Sequence, residues 1–331
     1  MGGRLVRQAP IVTPKSFTLP SYAKINWRLE VLGKRPDGYH ELRTILQTIS
    51  LHDTLHFEPT NDGSISLECN DKQIPTDERN LVVRAALLFQ AHHFIGRGAR
   101  IKLEKRIPSM AGLGGGSSNA AVTLAALWHL WETESDKKAM SQMAAKLGAD
   151  VPFFFIGGTA LGEGTGTKVS PLSDCVRRYL LIVAPSVGVS TSNAYAAMNS
   201  GALTTSKLDS ILSSSPEGQN FCEFEPSLAH KNLSNDFESV IFDMEPEIRR
   251  SRDAVLHAGA RNALLAGSGS SVFGIFDDQQ SRDLALGKIQ TEPGWRVFSC
   301  DTLSRQEYNR ALAVDEKSLL SFFNSDSDIG A

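Results

Sequence analysis

Cysteine is scarce in this chain. Its four, Cys69, Cys175, Cys222 and Cys300, are widely spaced and form no C-x-x-C pair. That excludes a zinc knuckle, a dithiol redox motif and a disulfide framework, and it points to a reducing, cytoplasmic setting. No apolar run approaches the ~18–20 residues of a membrane-spanning helix. An excess of either charge is also missing: 34 Lys and Arg against 37 Asp and Glu leave a formal −3. A global electrostatic footprint for nucleic acid or an anionic bilayer is therefore absent. Residues 1–17 hold Arg4, Arg7 and Lys15 and no acid. No apolar stretch follows them as a secretory signal requires, so they read as a flexible tail. No internal repeat is visible.

What is present is an ordinary globular composition over 331 residues, 41% hydrophobic and 21% charged, long enough for two domains. His52 and His56 stand four apart, but LHDTLHF alternates as a strand does, which would separate them by about 13 Å and disfavours a metal site. NLVVRAALLFQAHH predicts a helix capped by Asn80. ARIKLEKRI, with Ile101 and Leu103 alternating with charges, predicts a half-buried strand ending at Pro108. Ala120 to Trp131 predicts a helix that buries Val122, Leu124, Leu127, Leu130 and Trp131, and DKKAMSQMAAKLG one closed by a Gly148 cap. Composition changes after GGTALGEGTGTKVSPL (Gly157 to Leu172). Beyond it YLLIVAP, SVFGIF and WRVFSC read as strands; SNAYAAM, PEIRRSRDAVLHAG and SRDLALGKI read as helices. That order suggests a βαββαβ, ferredoxin-like layer. Residues 200–218 read as a Ser-rich loop, and NSDSDIGA at the end as disordered.

The densest signal is IPSMAGLGGGSSNAAVTLAALW, from Ile107 to Trp128. Glycine inside regular structure costs ~0.5–1 kcal/mol relative to alanine, so Gly112, Gly114, Gly115 and Gly116 need a backbone reason. A Walker loop is excluded because no Lys follows the glycines. Gly112, Gly114 and Gly116 mimic a dinucleotide fingerprint, but a helix follows where its second strand belongs. A tight strand-to-helix turn remains one reading. The other is an anion cradle: bare N–H groups from Gly114 to Gly116, capping by Ser117 and Ser118, and about +0.5 of a charge at the helix start. That combination suits a triphosphate.

The pattern P-x-x-x-G-L-G-G-G-S-S-N-A-A resembles the central motif of the GHMP kinases, which phosphorylate small-molecule alcohols with ATP. SYAKINWRLEV resembles their first motif and LLAGSGSSVFGIF their third. RPDGYHELRTILQTISLHD, GADVPFF, LSNDFE and GGTALGEG resemble the branch whose acceptor is 4-diphosphocytidyl-2-C-methyl-D-erythritol, in the non-mevalonate route to isoprenoid precursors. The resemblance runs from about Leu19 to Thr302. It implies an α/β (α+β) two-domain fold, a ribosomal-protein-like α/β domain followed by a ferredoxin-like one. The expected division is a flexible tail over 1–17, an ATP-binding domain over 18–165, a substrate domain over 166–310 and a carboxy-terminal helix or disordered tail over 311–331. ATP and Mg²⁺ are the implied cofactors. The implied partner is the small cytidyl substrate, with no nucleic acid and no membrane, and a monomer or weak homodimer is expected. Rival readings are a GHMP kinase for mevalonate, homoserine or a sugar, and a non-catalytic nucleotide- or RNA-binding module; net acidity disfavours RNA.

The same resemblance implies roles. Asp150 would take the proton of the substrate hydroxyl, and Lys24 would pair with it and polarise the oxygen. Tyr39 and Tyr195 would sandwich the cytosine while His40 reads its edge, with Asn26 and Thr191 as further substrate contacts. Pro108, Gly112, Leu113, Gly114, Gly115, Gly116, Ser117, Ser118 and Asn119 would cradle ATP, and Asn80 and Lys105 would lie near its adenine. Gly267, Ser268 and Gly269 would close the phosphate site, and Ser118 is the expected protein oxygen for Mg²⁺. Each has a plainer alternative. Lys24 could guard an edge strand, Asp150 mark a turn, Asn80 cap a helix and Lys105 be a surface charge.

Overall fold

The computed structural model describes residues 16–133, 137–198, 233–289, 292–314 and 317–320. Residues 1–15, Cys222, the Ser-rich stretch and the final NSDSDIGA lie outside them. Two long strands organise the first layer, β1 (Phe17–Lys34) and β2 (His40–Thr60), paired antiparallel. Their register shifts at Tyr22/Ala23, Asn26/Arg28 and Val31/Gly33, and each irregularity bends and twists the ribbon. One end therefore pairs with β4 (Gly98–Glu104) and through it β3 (Ile65–Cys69). The other end takes on the hairpin β5 (Thr159–Gly164) and β6 (Lys168–Pro171). From Leu51 to Phe57 inward and half-exposed positions alternate, the period that fixes which face is buried. Against that face pack α1 (Leu81–His93), α2 (Gly115–Leu130) and α3 (Lys137–Leu147). Val122, Leu124, Leu127, Leu130 and Trp131 are all buried there, as the helical spacing predicts.

The second layer is a four-stranded antiparallel sheet, β7 (Tyr179–Ala184), β9 (Asn262–Leu265), β10 (Val272–Phe276) and β11 (Arg296–Asp301), in the order β11-β7-β10-β9. With α6 (Pro246–His257) and α7 (Gln279–Ile289) this is the expected βαββαβ arrangement. Between β7 and α6 come α4 (Thr191–Met198), β8 (Ser234–Asn235) and α5 (Glu238–Met244). Strand β8 crosses over to pair with β1, and Ile25, Trp27 and Ile49 share a core with Ile182, Leu264 and Phe273. The two layers are joined by this apolar seam and by a second, where Leu29 and Val31 meet Leu265.

Several expectations are corrected. The strand expected to reach Pro108 ends at Glu104, because the next backbone donors turn to a side chain. Helix α2 begins at Gly115, five residues before the expected Ala120, since its first turn needs no side chain to form. Gly148 follows α3 but is not left-handed, so it ends the helix without the expected cap geometry. The glycine-rich passage after Gly157 is the β5–β6 hairpin of the first sheet, and the 165/166 boundary would split it. At the far end α8 (Arg305–Ala311) opens with a Ser304–Glu307 capping box and buries Tyr308 against the first layer, donating to the Phe154 carbonyl at 2.7 Å. Among the described residues no helix is long and apolar enough to cross a membrane.

Candidate active site

A cavity of about 1060 Å³ lies between the layers, floored by the glycine loop. Gly112 (φ 74°) and Gly114 (φ 68°) occupy the left-handed region that side chains resist. Gly114 is the N-cap of α2, with no side-chain bond, and Gly115 opens the helix. A Cβ on Gly112 would stand 1.7 Å from the Ala266 carbonyl oxygen, and one on Gly267 2.9 Å from the Gly112 oxygen. The glycine loops of the two layers thus meet backbone to backbone, fastened by the Ser271 N–H donating to the Ala111 carbonyl at 3.2 Å. At Gly116 the nearest atom to an added Cβ would be Leu81 Cδ1 at 3.6 Å, so this glycine opens on the cavity. The free first-turn N–H groups of α2 and its positive end are presented to the same space.

Lys24 lies inside β1, and its N–H donates to the Leu113 carbonyl at 3.0 Å, so the strand itself holds the loop. Its ammonium donates to Asn26 Oδ1 at 2.9 Å and pairs with Asp150 Oδ2 at 3.4 Å. Asn26 is fixed in turn by donating to Thr44 Oγ1, which donates to the Arg28 carbonyl, each at 2.7 Å. The pair is asymmetric: the Lys24 side chain is 4% exposed and that of Asp150 36%, so the carboxylate is the member that meets solvent. Asp150 sits in the turn between α3 and the short helix Pro152–Phe155. A Cβ on Gly114 would be 2.9 Å from the Lys24 stem and one on Gly267 3.2 Å from its ammonium, so Lys24 stands where both glycine loops converge.

Comparisons with known proteins identify the family. The GHMP kinases N terminal domain matches residues 80–158 and the GHMP kinases C terminal domain residues 220–293. A 4-diphosphocytidyl-2-C-methyl-D-erythritol kinase of Lachnoclostridium phytofermentans is 40% identical, covering 84% of this chain and 94% of its own length. The protein of that name from Pelotomaculum thermopropionicum is 42% identical over 80% of this chain and 91% of its own. This chain belongs to the GHMP kinase family. A crystal structure of 4-(cytidine 5'-diphospho)-2C-methyl-D-erythritol kinase superposes with a TM-score of 0.70 and 32% identity, covering 86% of this chain and 99% of that one. Homoserine kinase from Cytophaga hutchinsonii, at 18% identity and a TM-score of 0.67, shares the fold.

The cavity of this GHMP kinase gathers nearly every residue singled out in the sequence. Pro108, Gly112 to Ser117 and Asn119 line the loop side, with Asn80 and Lys105 beside them. Asn26, Tyr39, His40, Thr191 and Tyr195 line it too, as do Gly267, Ser268 and Gly269, with Asn26 beside Lys24 and Thr191 3.1 Å from Ser268. Ser118 is the exception. It is fully buried on the inner side of α2, accepts a hydrogen bond from the Ser21 hydroxyl at 2.7 Å and neither caps the helix nor lines the cavity. The expected capping by Ser117 and Ser118 and the Mg²⁺ role of Ser118 are thereby corrected. Lys24 is also inside β1 rather than at a strand end; its outer side meets the glycine loop instead of another strand.

Three other residues are already engaged. Asn80 caps α1 by accepting from the Val82 N–H at 2.9 Å and donates to the Pro75 carbonyl, so it shapes the wall. Lys105 pairs with Asp53 at 2.8 Å and donates to the Ile107 carbonyl. Tyr195 stacks on His40, centroids 4.5 Å apart and planes 17° apart, with Phe237 edge-on at 5.0 Å. The sandwich of Tyr195 and Tyr39 is not preformed; Tyr195 instead fixes the His40 ring, and Tyr39, 66% exposed, is the open aromatic face. Burial, and after it the Asp150 charge, pushes the Tyr195 phenol up to about 12, so it stays neutral. Asn235 was not singled out: its amide donates to the carbonyls of Leu265 (2.9 Å) and Gly267 (2.7 Å), tying β8 to the third motif. Its place in LSNDFE was the available signal.

Proposed function

We propose that this GHMP kinase transfers the γ-phosphate of ATP to the 2-hydroxyl of 4-diphosphocytidyl-2-C-methyl-D-erythritol, the reaction named for its relatives. The observation that carries the reading is the Lys24–Asp150 pair at the meeting point of two glycine loops, in a cavity that Tyr39 and the braced His40 also line. Phosphoryl transfer depends on alignment and on charge stabilisation rather than on a strong base. The α2 first turn would bind the phosphates, its N–H groups meeting their oxygens. Asp150 would accept the hydroxyl proton, oriented by Lys24, whose ammonium also meets the charge that develops on the transferring group. Tyr39 would stack on the cytosine, and His40, held by Tyr195, would read its polar edge.

Asp150 is the one carboxylate among the described lining residues, and no cluster of three or more His, Cys, Asp and Glu occurs among the described residues. That donor set fits Mg²⁺ carried by the nucleotide's own oxygens, where it would neutralise phosphate charge. Ser117, which lines the cavity, replaces Ser118 as the nearby hydroxyl. Substrate contacts would come from both halves of the chain, since Tyr39 lies in the β1–β2 turn and His40 opens β2, while Thr191 and Tyr195 lie on α4. An acceptor panel tests the proposal: ADP release with the cytidyl alcohol, mevalonate, homoserine and a hexose. Release with the cytidyl alcohol alone supports it; a preference for any other acceptor overturns it.

A further inference from the structure

Asp53 is fully buried in β2, yet its carboxylate accepts four hydrogen bonds. Oδ1 takes the backbone N–H groups of Arg106 (2.7 Å) and Ile107 (2.8 Å). Oδ2 takes the Lys105 ammonium (2.8 Å) and the Asn119 amide Nδ2 (3.0 Å). Three of these partners lie on the strap that enters the glycine loop, and the fourth lies on α2, which leaves it. One carboxylate thus clamps both ends of the loop. A buried anion persists only when paired and hydrogen-bonded, and this donor set meets both demands. The carbonyl oxygen of the Asn119 amide is buried without a partner, while its NH₂ donates to Asp53.

Close packing passes the clamp on to the loop. A Cβ on Gly115 would stand 2.9 Å from Ile107 Cγ2 and 3.2 Å from the Lys105 ammonium, so the start of α2 rests directly on the strap. In a close-packed interior a shift of one surface is felt by the other. The ammonium also lies under a helix N-terminus, where a positive charge is unfavourable, and Asp53 offsets it. The geometry points to Asp53 as the positioning residue of the nucleotide site. It touches no phosphate; it sets the α2 first-turn N–H groups where phosphate oxygens meet them. This rests on the reading that ATP's phosphates occupy the glycine loop.

Asp53→Asn tests it. The variant keeps an acceptor for Arg106 and Ile107 but turns an NH₂ group toward Lys105 and Asn119. With the fold verified by circular dichroism below its melting point, affinity for a non-hydrolysable ATP analogue should fall about 10–100-fold, the scale of a small misplacement, while that for the cytidyl substrate stays within about twofold. Unchanged analogue affinity in Asp53→Asn, or equal loss for both ligands, would overturn the clamp. The readout is binding relative to the wild-type chain, so a failure of that chain to turn over the cytidyl substrate counts against the proposed reaction and not against Asp53.

Discussion

Two glycines of the same loop should respond oppositely to one added methyl group. At Gly112 the backbone is left-handed (φ 74°), which costs a non-glycine residue ~1–2 kcal/mol. The new Cβ would also overlap the Ala266 carbonyl oxygen at 1.7 Å, and forcing the loops apart adds ~1–3 kcal/mol, as overpacking does. The total of ~2–5 kcal/mol corresponds to a fall in Tm of roughly 3–7 °C for Gly112→Ala in a chain of 331 residues. At Gly116 the helix is regular and the Cβ would make one ordinary contact, 3.6 Å to Leu81. Gly116→Ala should melt at or slightly above the wild-type temperature, because alanine is the better helix former by up to ~1 kcal/mol. Its methyl would instead intrude on the phosphates. Losing one charge-assisted contact of ~1.5–3 kcal/mol weakens an ATP analogue ~10–150-fold. Differential scanning calorimetry and isothermal titration on both variants make the comparison. A Gly116→Ala protein that binds the analogue normally would reduce this glycine to a turn residue. A Gly112→Ala protein that melts normally would refute the loop-to-loop contact.

Asp150→Asn should retain the fold and the ATP-analogue affinity but lose turnover by ~10²–10⁴-fold in single-turnover assays; near-normal turnover removes it from the mechanism. Tyr39→Ala, at an exposed ring, should leave Tm unchanged and raise KM for the cytidyl substrate ~5–150-fold with KM for ATP unmoved, and an equal rise in both would make the ring structural. Glu238 is raised above the ordinary carboxyl range chiefly by burial, so its favourable contribution holds below its unfolded value and is lost as pH rises through the folded one. Glu238→Gln, which keeps the acceptor for the Leu265 N–H, should therefore raise Tm near pH 8 and lose that gain near pH 4; a pH-independent difference would contradict the assignment.

The features legible in the sequence were those with short-range causes. Asn80 declared a helix start by its capping chemistry, and the βαββαβ layer followed from alternation and helical spacing. The start of α2 was misread because glycine was counted against the helix, although the first turn needs only N–H groups that nothing yet occupies. Lys24 was misplaced because the apolar–polar alternation of AKINWRLEV starts only at Ala23, where the register shifts, although β1 itself begins at Phe17. Asp53 carried a signal that went unread: in LHDTLHF it holds the inward phase shared by Leu51, Leu55 and Phe57. An acid in that phase demands partners, and they lie 52 to 66 positions away. The His40–Tyr195 stack joins different layers, and nothing local encodes it.

The most direct test of the reaction is the position of the new phosphate. The purified chain is incubated with ATP, Mg²⁺ and 4-diphosphocytidyl-2-C-methyl-D-erythritol and followed by ³¹P NMR with proton–phosphorus correlation. The account predicts ADP and a phosphomonoester in equal amounts, with the new phosphorus on the 2-hydroxyl oxygen of the erythritol and the diphosphate bridge intact. ADP formed no faster than without the acceptor, or phosphate appearing at any other hydroxyl, would contradict it.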